Sequence, residues 1–267
     1  MSLGQQLRHL SLMTAAPLVG LALLFASLLA EGQAKREARS SPAEAAVPFR
    51  VGEKLEYRVG WANFLTAATL RLAVAERRRF FGREAWHFQA FARTVEPVRF
   101  LYALDDQFDS YTDTATLSSL RYEMHLREQG GQEDSVVRMS TGQEPAQSDG
   151  PTVRVLPGTR DPLAVLYFLR AVDWQRTKET STPVYDGKKL YELRARVERD
   201  HDEVSVPAGT YPAWKIELRV YDRGRELAET RFWLWLTRNT PRCPALIEAE
   251  LPFGSVRVEL NRAGQLP

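Results

Sequence analysis

Apolar and polar residues alternate with a period of two along most of this sequence, and no other feature constrains the fold as strongly. A period of two places successive side chains on opposite faces of a strand, so one face packs on a core while the other meets water. Strands with one wet face are typical of antiparallel sheets, whereas buried parallel strands are apolar on both faces. The alternation occurs in Lys54–Val59, Thr69–Val74, Arg121–Glu128, Leu190–Glu198, Ala213–Tyr221 and Ser255–Leu260.

Short turn signals separate these alternating segments. Glycine, alone or with proline or aspartate, marks Phe81–Gly82, Gly130–Gly131, Asp186–Gly187, Asp222–Gly224 and Pro252–Gly254. Such residues supply the backbone conformations that tight hairpins need. Many strands with short connections predict an all-β fold, an antiparallel meander curled into a barrel-like or half-barrel sheet.

One segment departs from the period of two and predicts a single main helix. Within Arg160–Trp174, Asp161 is a suitable N-cap and Pro162 fits the first helical position. The residues that follow are apolar on most sides of a helix, which is typical of a buried helix. We therefore expect this helix to pack against the open side or mouth of the sheet.

The N-terminal segment has the pattern of a secretory signal peptide, predicted for residues 1–34. A weakly basic start is followed by the apolar run Leu10–Ala30, and Gly32 and Ala34 are small residues at a possible cleavage site. Ala30 is a second candidate site. The run also has the ~20 residues that span a bilayer, so a retained anchor is the alternative.

The rest of the chain divides into a linker and one domain. Residues 35–47 are charged, rich in alanine and serine, and without periodicity, which predicts a flexible linker. Residues 48–267 have the length of a single β domain. We expect an exported protein of the periplasm or cell envelope, with membrane contact only through the N-terminal segment if it is not cleaved.

Charge and cysteine content exclude several classes of partner. The chain has 36 basic and 34 acidic residues, so nothing in its charge favours nucleic acid. Its one basic run, Arg77–Arg79, is interpreted as the solvated end of a hairpin around Gly82. The single cysteine, Cys243, cannot form an internal disulfide and is interpreted as a buried, inert thiol.

Five ordered motifs resemble a family of exported bacterial proteins known only as a domain of unknown function. They are Phe49–Trp61, Phe108–Asp113, Arg160–Arg170, Val206–Leu218 and Ala245–Leu260. The resemblance implies an all-β, barrel-like fold in the cell envelope and brings no catalytic residues. Such proteins often carry an acidic pair after the Trp-rich strand, and Arg238-Asn239 stands there instead.

The candidate site is an apolar one. The strand Phe232–Leu236 is apolar on both faces, so Trp233 and Trp235, together with Leu166 and Phe168 of the helix, are candidate ligand-binding residues. The alternative is that Phe232 and Leu234 fill the core while a loop or the helix covers the two tryptophans.

Pro207 and Gly209 are interpreted as structural turn residues, at the second and fourth positions of a β-turn. The acidic clusters Asp200–Glu203 and Asp105–Asp113 are interpreted as solvated surface. We predict no catalytic residue, no metal site and no cofactor.

Three functions remain open from the sequence. The first is a non-enzymatic module that binds a lipid or another apolar envelope molecule, or docks an envelope protein. The second is a structural or assembly protein with a filled barrel and no ligand. The third is a hydrolase of envelope polymer. A cavity lined by Trp and Phe, a packed interior, or a cleft where histidines and carboxylates meet would distinguish them.

Overall fold

The computed structural model describes residues 47–61, 64–141, 151–239, 241–252 and 254–264. The predicted signal peptide and residues 35–46 of the predicted linker lie outside this part. The strands and helices are β1 (Lys54–Trp61), β2 (Phe64–Phe80), β3 (Arg83–Thr94), α1 (Val98–Leu101), β4 (Asp105–Asp113), β5 (Ser119–Glu128), β6 (Gly131–Ser140), β7 (Thr152–Arg154), α2 (Pro162–Ala171), β8 (Glu179–Tyr185), β9 (Leu190–Val206), β10 (Gly209–Asp222), β11 (Arg225–Glu226), β12 (Arg231–Thr237), β13 (Pro244–Leu251) and β14 (Gly254–Ala263).

The strands form one sheet in the order β7-β6-β5-β4-β3-β2-β1-β14-β13-β12-β10-β9-β8, with β11 paired to β10. Neighbours are antiparallel except β6 and β7, which are parallel over three residues. Two meanders, β1 to β7 and β8 to β14, are therefore joined where the first and last strands pair. The prediction of an all-β, barrel-like antiparallel sheet with one main helix is confirmed.

The two margins of the sheet meet through a short segment rather than by direct strand pairing. The backbone N–H of Ser119 donates to the Thr159 carbonyl at 3.0 Å, and the N–H of Arg160 donates to the Pro183 carbonyl at 3.0 Å. Pairing of β5 with β6 begins only at Arg121, which leaves the start of β5 open to this segment. Thr159 and Arg160 thus link β5 to β8 and curl the sheet into its barrel-like form.

Helix α2 follows this segment directly, and its start is fixed by local and distant contacts together. The Asp161 carboxylate accepts a hydrogen bond from the backbone N–H of Ala164 at 2.9 Å, which confirms the predicted N-cap. Its second oxygen accepts from the hydroxyls of Ser110 and Ser119, each at 2.5 Å. The carboxylate therefore joins the helix to β4 and β5.

The helix then packs inside the curled sheet against β3, β4 and β8. The Tyr167 ring stacks on Phe88 with centroids 3.7 Å apart and an interplanar angle of 5°. Phe49, which precedes β1, meets Tyr167 edge-on at 5.1 Å. An edge-on aromatic pair such as Phe49 with Tyr167 adds about 0.5–1.5 kcal/mol beyond the area that it buries. One flank of α2 is therefore held firmly against the β1–β4 half.

Candidate functional site

A small apolar cavity lies on the opposite flank of α2, between the helix and the strands β8 to β13. Its volume is about 50 Å³. All of its lining residues have apolar side chains: Pro162, Val165, Leu166, Leu169, Val184, Leu193, Leu218, Phe232, Leu234 and Ile247. Leu218 is half-buried, so the cavity reaches the surface near this residue.

The position of the cavity follows from the way the helix is held. Aromatic stacking holds α2 against β3 and the Asp161 contacts hold it against β4 and β5, while its packing against β9 to β13 is incomplete. A void of this volume costs about 1 kcal/mol at ~24 cal/mol per Å³. Because no polar side chain lines it, the cavity offers no partner to water and suits an apolar group.

Of the four residues predicted to bind a ligand, the structure brings only Leu166 to this cavity. Phe168 points towards the sheet margin, where the Arg160 guanidinium carbon lies 3.7 Å from its ring centroid. Trp233 and Trp235 do not line the cavity. The four residues therefore do not form one site.

Helix α2 does not cover Trp233 and Trp235, which was one of the two arrangements that the alternative from the sequence left open. The helix instead faces Phe232 and Leu234, because the period of two directs these residues inwards and the tryptophans outwards. The two apolar faces of β12 are buried by different parts of the protein. One face packs on the core, and the other is covered by a second layer.

That second layer is the long β9–β10 hairpin, which folds over the outer face of β12 to β14. Its strands carry register shifts near Lys215, and its distal part packs Val204 on Trp235 and Leu246. The Trp235 indole N–H donates to Asp202 at 2.9 Å. Phe232 and Leu234 fill the core, as in the alternative derived from the sequence, but a hairpin covers the tryptophans rather than the loop or the helix that it named.

The hairpin turn contains Pro207 and Gly209, and it is a β-turn as predicted. The backbone N–H of Ala208 donates to the Leu260 carbonyl at 3.0 Å, so the turn is anchored to β14. Gly209 has a φ of 138°, a conformation that favours glycine. The turn residues have a structural role in holding the second layer.

A buried ion pair fastens the far end of α2, and sequence reasoning did not predict it. Two guanidinium nitrogens of Arg170 donate to the two oxygens of Glu53 at 2.6 and 2.8 Å, and both side chains are 1% exposed. The Arg170 Nε donates to the Arg242 carbonyl at 2.7 Å. An arginine within an otherwise apolar helix was the one sequence signal for this pair.

The thiol of Cys243 lies near this ion pair and is buried, as predicted. Burial raises the pKa of Cys243, and the Arg170 charge offsets that effect only in part. A raised pKa keeps the sulfur protonated and therefore a poor nucleophile.

Histidine and carboxylates meet elsewhere, on the outer face of β2 to β4. His87 Nε2 lies 2.7 Å from Asp109, its Nδ1 lies 3.6 Å from Glu76, and its ring stacks on Tyr111 at 4.4 Å. Burial alone would raise the pKa of Asp109, but hydrogen bonds from His87 and two glutamines lower it. Among the described hydrogen-bond and ion-pair partners of His87 there is no hydroxyl or thiol that it could activate.

The other acidic candidates are engaged in structural contacts. Asp105 accepts a hydrogen bond from Arg99 at 2.6 Å, and Asp113 caps the β4–β5 turn through the backbone N–H of Thr116 at 2.9 Å. Asp200 accepts from Lys178 at 2.8 Å. In the described part of the chain, no group of three or more His, Cys, Asp or Glu residues is placed to hold a metal.

The fold and cavity together define a barrel-like β protein with an internal helix and a small apolar cavity beside it. The family model for a protein of unknown function, DUF3108, matches residues 56–261. The chain belongs to this family, which confirms the resemblance drawn from its motifs. No functionally curated protein shows significant sequence similarity to it.

Solved structures that show similarity to this chain have low sequence identity to it. One is a β-barrel-like protein of the DUF1849 domain of unknown function from Brucella abortus, at 13% identity and a TM-score of 0.47, covering 79% of this chain and 95% of that one. Another is a candidate lipoprotein from Parabacteroides distasonis, at 10% identity and a TM-score of 0.38, covering 83% and 100%. Within the described residues, no helix is long and apolar enough to cross a membrane.

Proposed function

We propose that the protein is an exported, non-enzymatic binding module of the cell envelope that holds an apolar group beside α2. The observation that carries the proposal is the wholly apolar lining of the cavity between α2 and β8–β13. Export is supported by the basic start, apolar run and small-residue exit of residues 1–34.

The size of the cavity limits what it can hold. An apolar cavity of about 150 Å³ admits benzene, and this one has about a third of that volume. A longer acyl chain would enter only if Leu166 and Leu169 changed rotamers to enlarge the space. Each methylene buried there would contribute ~0.8 kcal/mol.

A second function is favoured by the same small volume. A barrel whose interior is nearly filled fits a structural or assembly protein of the envelope that holds no ligand. The two functions differ in whether the cavity takes up an apolar molecule.

The test is a titration with a fluorescent fatty acid, comparing two variants that add the same ring to the core. Leu193→Phe fills the cavity from β9, whereas Leu72→Phe enlarges a buried β2 residue that does not line it. Overpacking costs each variant about 1–3 kcal/mol, which the fold should tolerate. We expect saturable binding that only Leu193→Phe abolishes. An absence of binding by the unaltered protein would favour the filled barrel, and equal loss in both variants would rule out this cavity as the site.

A further inference from the structure

The β2–β3 hairpin projects from the end of the sheet at which the chain enters the domain. Strand β1 begins to pair with β2 at Lys54 and Ala73, so the hairpin beyond Ala73 extends past the start of β1. This projecting part carries the exposed arginines Arg77–Arg79 and Arg83. Four guanidinium groups therefore stand at its tip.

Two further arginines and two aromatic rings extend this surface. The guanidinium carbons of Arg121 and Arg138 lie 5.6 and 5.8 Å from the centroid of the Phe81 ring. Arg78 lies 4.6 Å from the centroid of Phe80. We call Arg77–Arg79, Arg83, Arg121 and Arg138 the cationic tip. Cationic groups interleaved with aromatic rings are suited to a lipid headgroup region.

Positive charge remains in excess after the neighbouring carboxylates are counted. Among the described residues the nearby acids are Glu76, Glu84, Asp109, Asp113 and Glu123, so six arginines stand beside five carboxylates. That leaves an excess of one positive charge at this tip, half of the net charge of +2 of the whole chain. Surface ion pairs such as that of Arg78 with Glu76, at 3.1 Å, are weak and do not cancel the long-range field of an excess of cations.

The N-terminal segment joins the domain beside this tip. Phe49 packs edge-on against Trp86 at 5.4 Å, and Arg77 lies 5.1 Å from the centroid of the same Trp86 ring. The apolar run that ends at Ala30 is separated from Val47 by residues 31–46, which reach at most about 55 Å when fully extended. A bilayer that holds the apolar run therefore lies within that reach of this end of the domain.

We propose that the cationic tip is a docking surface for an anionic phospholipid bilayer. Charge complementarity and the position of the N-terminal segment both favour this partner. Each arginine near an anionic surface strengthens binding by about fivefold, which corresponds to ~1 kcal/mol per basic residue. This surface would add a second membrane contact to the one predicted for the N-terminal segment, and it is independent of the apolar cavity.

The test uses the protein as isolated from its host, with whichever N-terminus it carries. The protein is co-sedimented with vesicles of pure phosphatidylcholine and, separately, with vesicles containing 30% phosphatidylglycerol. The ratio of the two binding constants measures its preference for the anionic surface. The N-terminal segment contributes equally to every variant, so it does not affect comparisons between them.

The test variant is Arg78→Gln/Arg79→Gln, and the matched control is Arg194→Gln/Arg196→Gln. The control pair also consists of two exposed arginines, on β9, with Glu192 and Glu217 as ion-pair partners. We expect the preference of the unaltered protein for anionic vesicles to fall with added salt. It should drop about 25-fold in the test variant and stay unchanged in the control.

Three results would overturn the proposal. The first is no preference for anionic vesicles. The second is an equal loss in both variants, which would assign binding to diffuse charge. The third is binding to a soluble anionic polysaccharide with no binding to vesicles, which would identify a polymer as the partner. Circular dichroism of each variant shows whether it is folded.

Discussion

The buried Glu53–Arg170 pair should be the contact on which the position of α2 depends most. The two residues are separated by 117 positions in sequence, and their bidentate contact ties the helix to the segment that precedes β1. Burial by itself would lower the pKa of Arg170, but the Glu53 carboxylate raises it above its ordinary value. The guanidinium therefore stays charged.

Replacing one partner leaves the other charge buried without compensation. We expect Arg170→Met to cost about 3–5 kcal/mol, because Glu53 is 1% exposed and cannot reach water. The Arg242 carbonyl also loses the donor that lies 2.7 Å from it. Glu53→Met should cost a similar amount, whereas the double variant should cost much less than the sum, since two apolar side chains can share the space.

The assay is thermal and urea unfolding of the two single variants and the double variant. In a domain of this size, 1 kcal/mol shifts the melting temperature by about 2–4 °C, so each single variant should melt roughly 6–20 °C lower. The matched control is Arg58→Met, which removes a half-exposed arginine 2.8 Å from Glu259 and should cost under ~1 kcal/mol. Equal losses for Arg170→Met and Arg58→Met, or strictly additive single losses, would refute the reasoning.

Three further predictions concern the turn, a buried acid and the N-terminus. Gly209→Val should lower the free energy of unfolding by about 1–3 kcal/mol, because the φ of 138° strains any other residue and the added Cβ would lie 3.3 Å from the Tyr211 hydroxyl. An unchanged melting temperature would contradict this prediction. Burial raises the pKa of Asp106 to about 7. In the folded protein the carboxyl therefore keeps a proton that it releases near pH 4 in the unfolded chain. The stability of the protein should fall as the pH rises from about 4 to about 7. Asp106→Asn should remove that fall and be more stable than the unaltered protein by about 4 kcal/mol at pH 8 in urea unfolding, with little difference at pH 4. N-terminal sequencing of the envelope form should begin near Glu31 or Lys35, whereas an intact Met1 in a membrane fraction would show a retained anchor.

The sequence by itself determined the features that depend on neighbouring residues. Alternation specified the strands because side-chain direction has a period of two whatever the strand pairs with. Asp161 and Pro162 specified the start of α2, since an N-cap satisfies backbone groups within one turn. The turn at Pro207 and Gly209 followed from the backbone conformations that these residues favour.

Only the tertiary structure decided which surfaces meet. The sequence showed that Phe232–Leu236 is apolar on both faces but not which face α2 covers, because that depends on the fold-back of the β9–β10 hairpin. Arg170 stands out in the sequence as a charge within an apolar helix, but its partner Glu53 does not, since 117 positions separate the two residues. The cavity beside Leu166 has no sequence signature, because it is the space left when stacking on Phe88 draws the helix to one side.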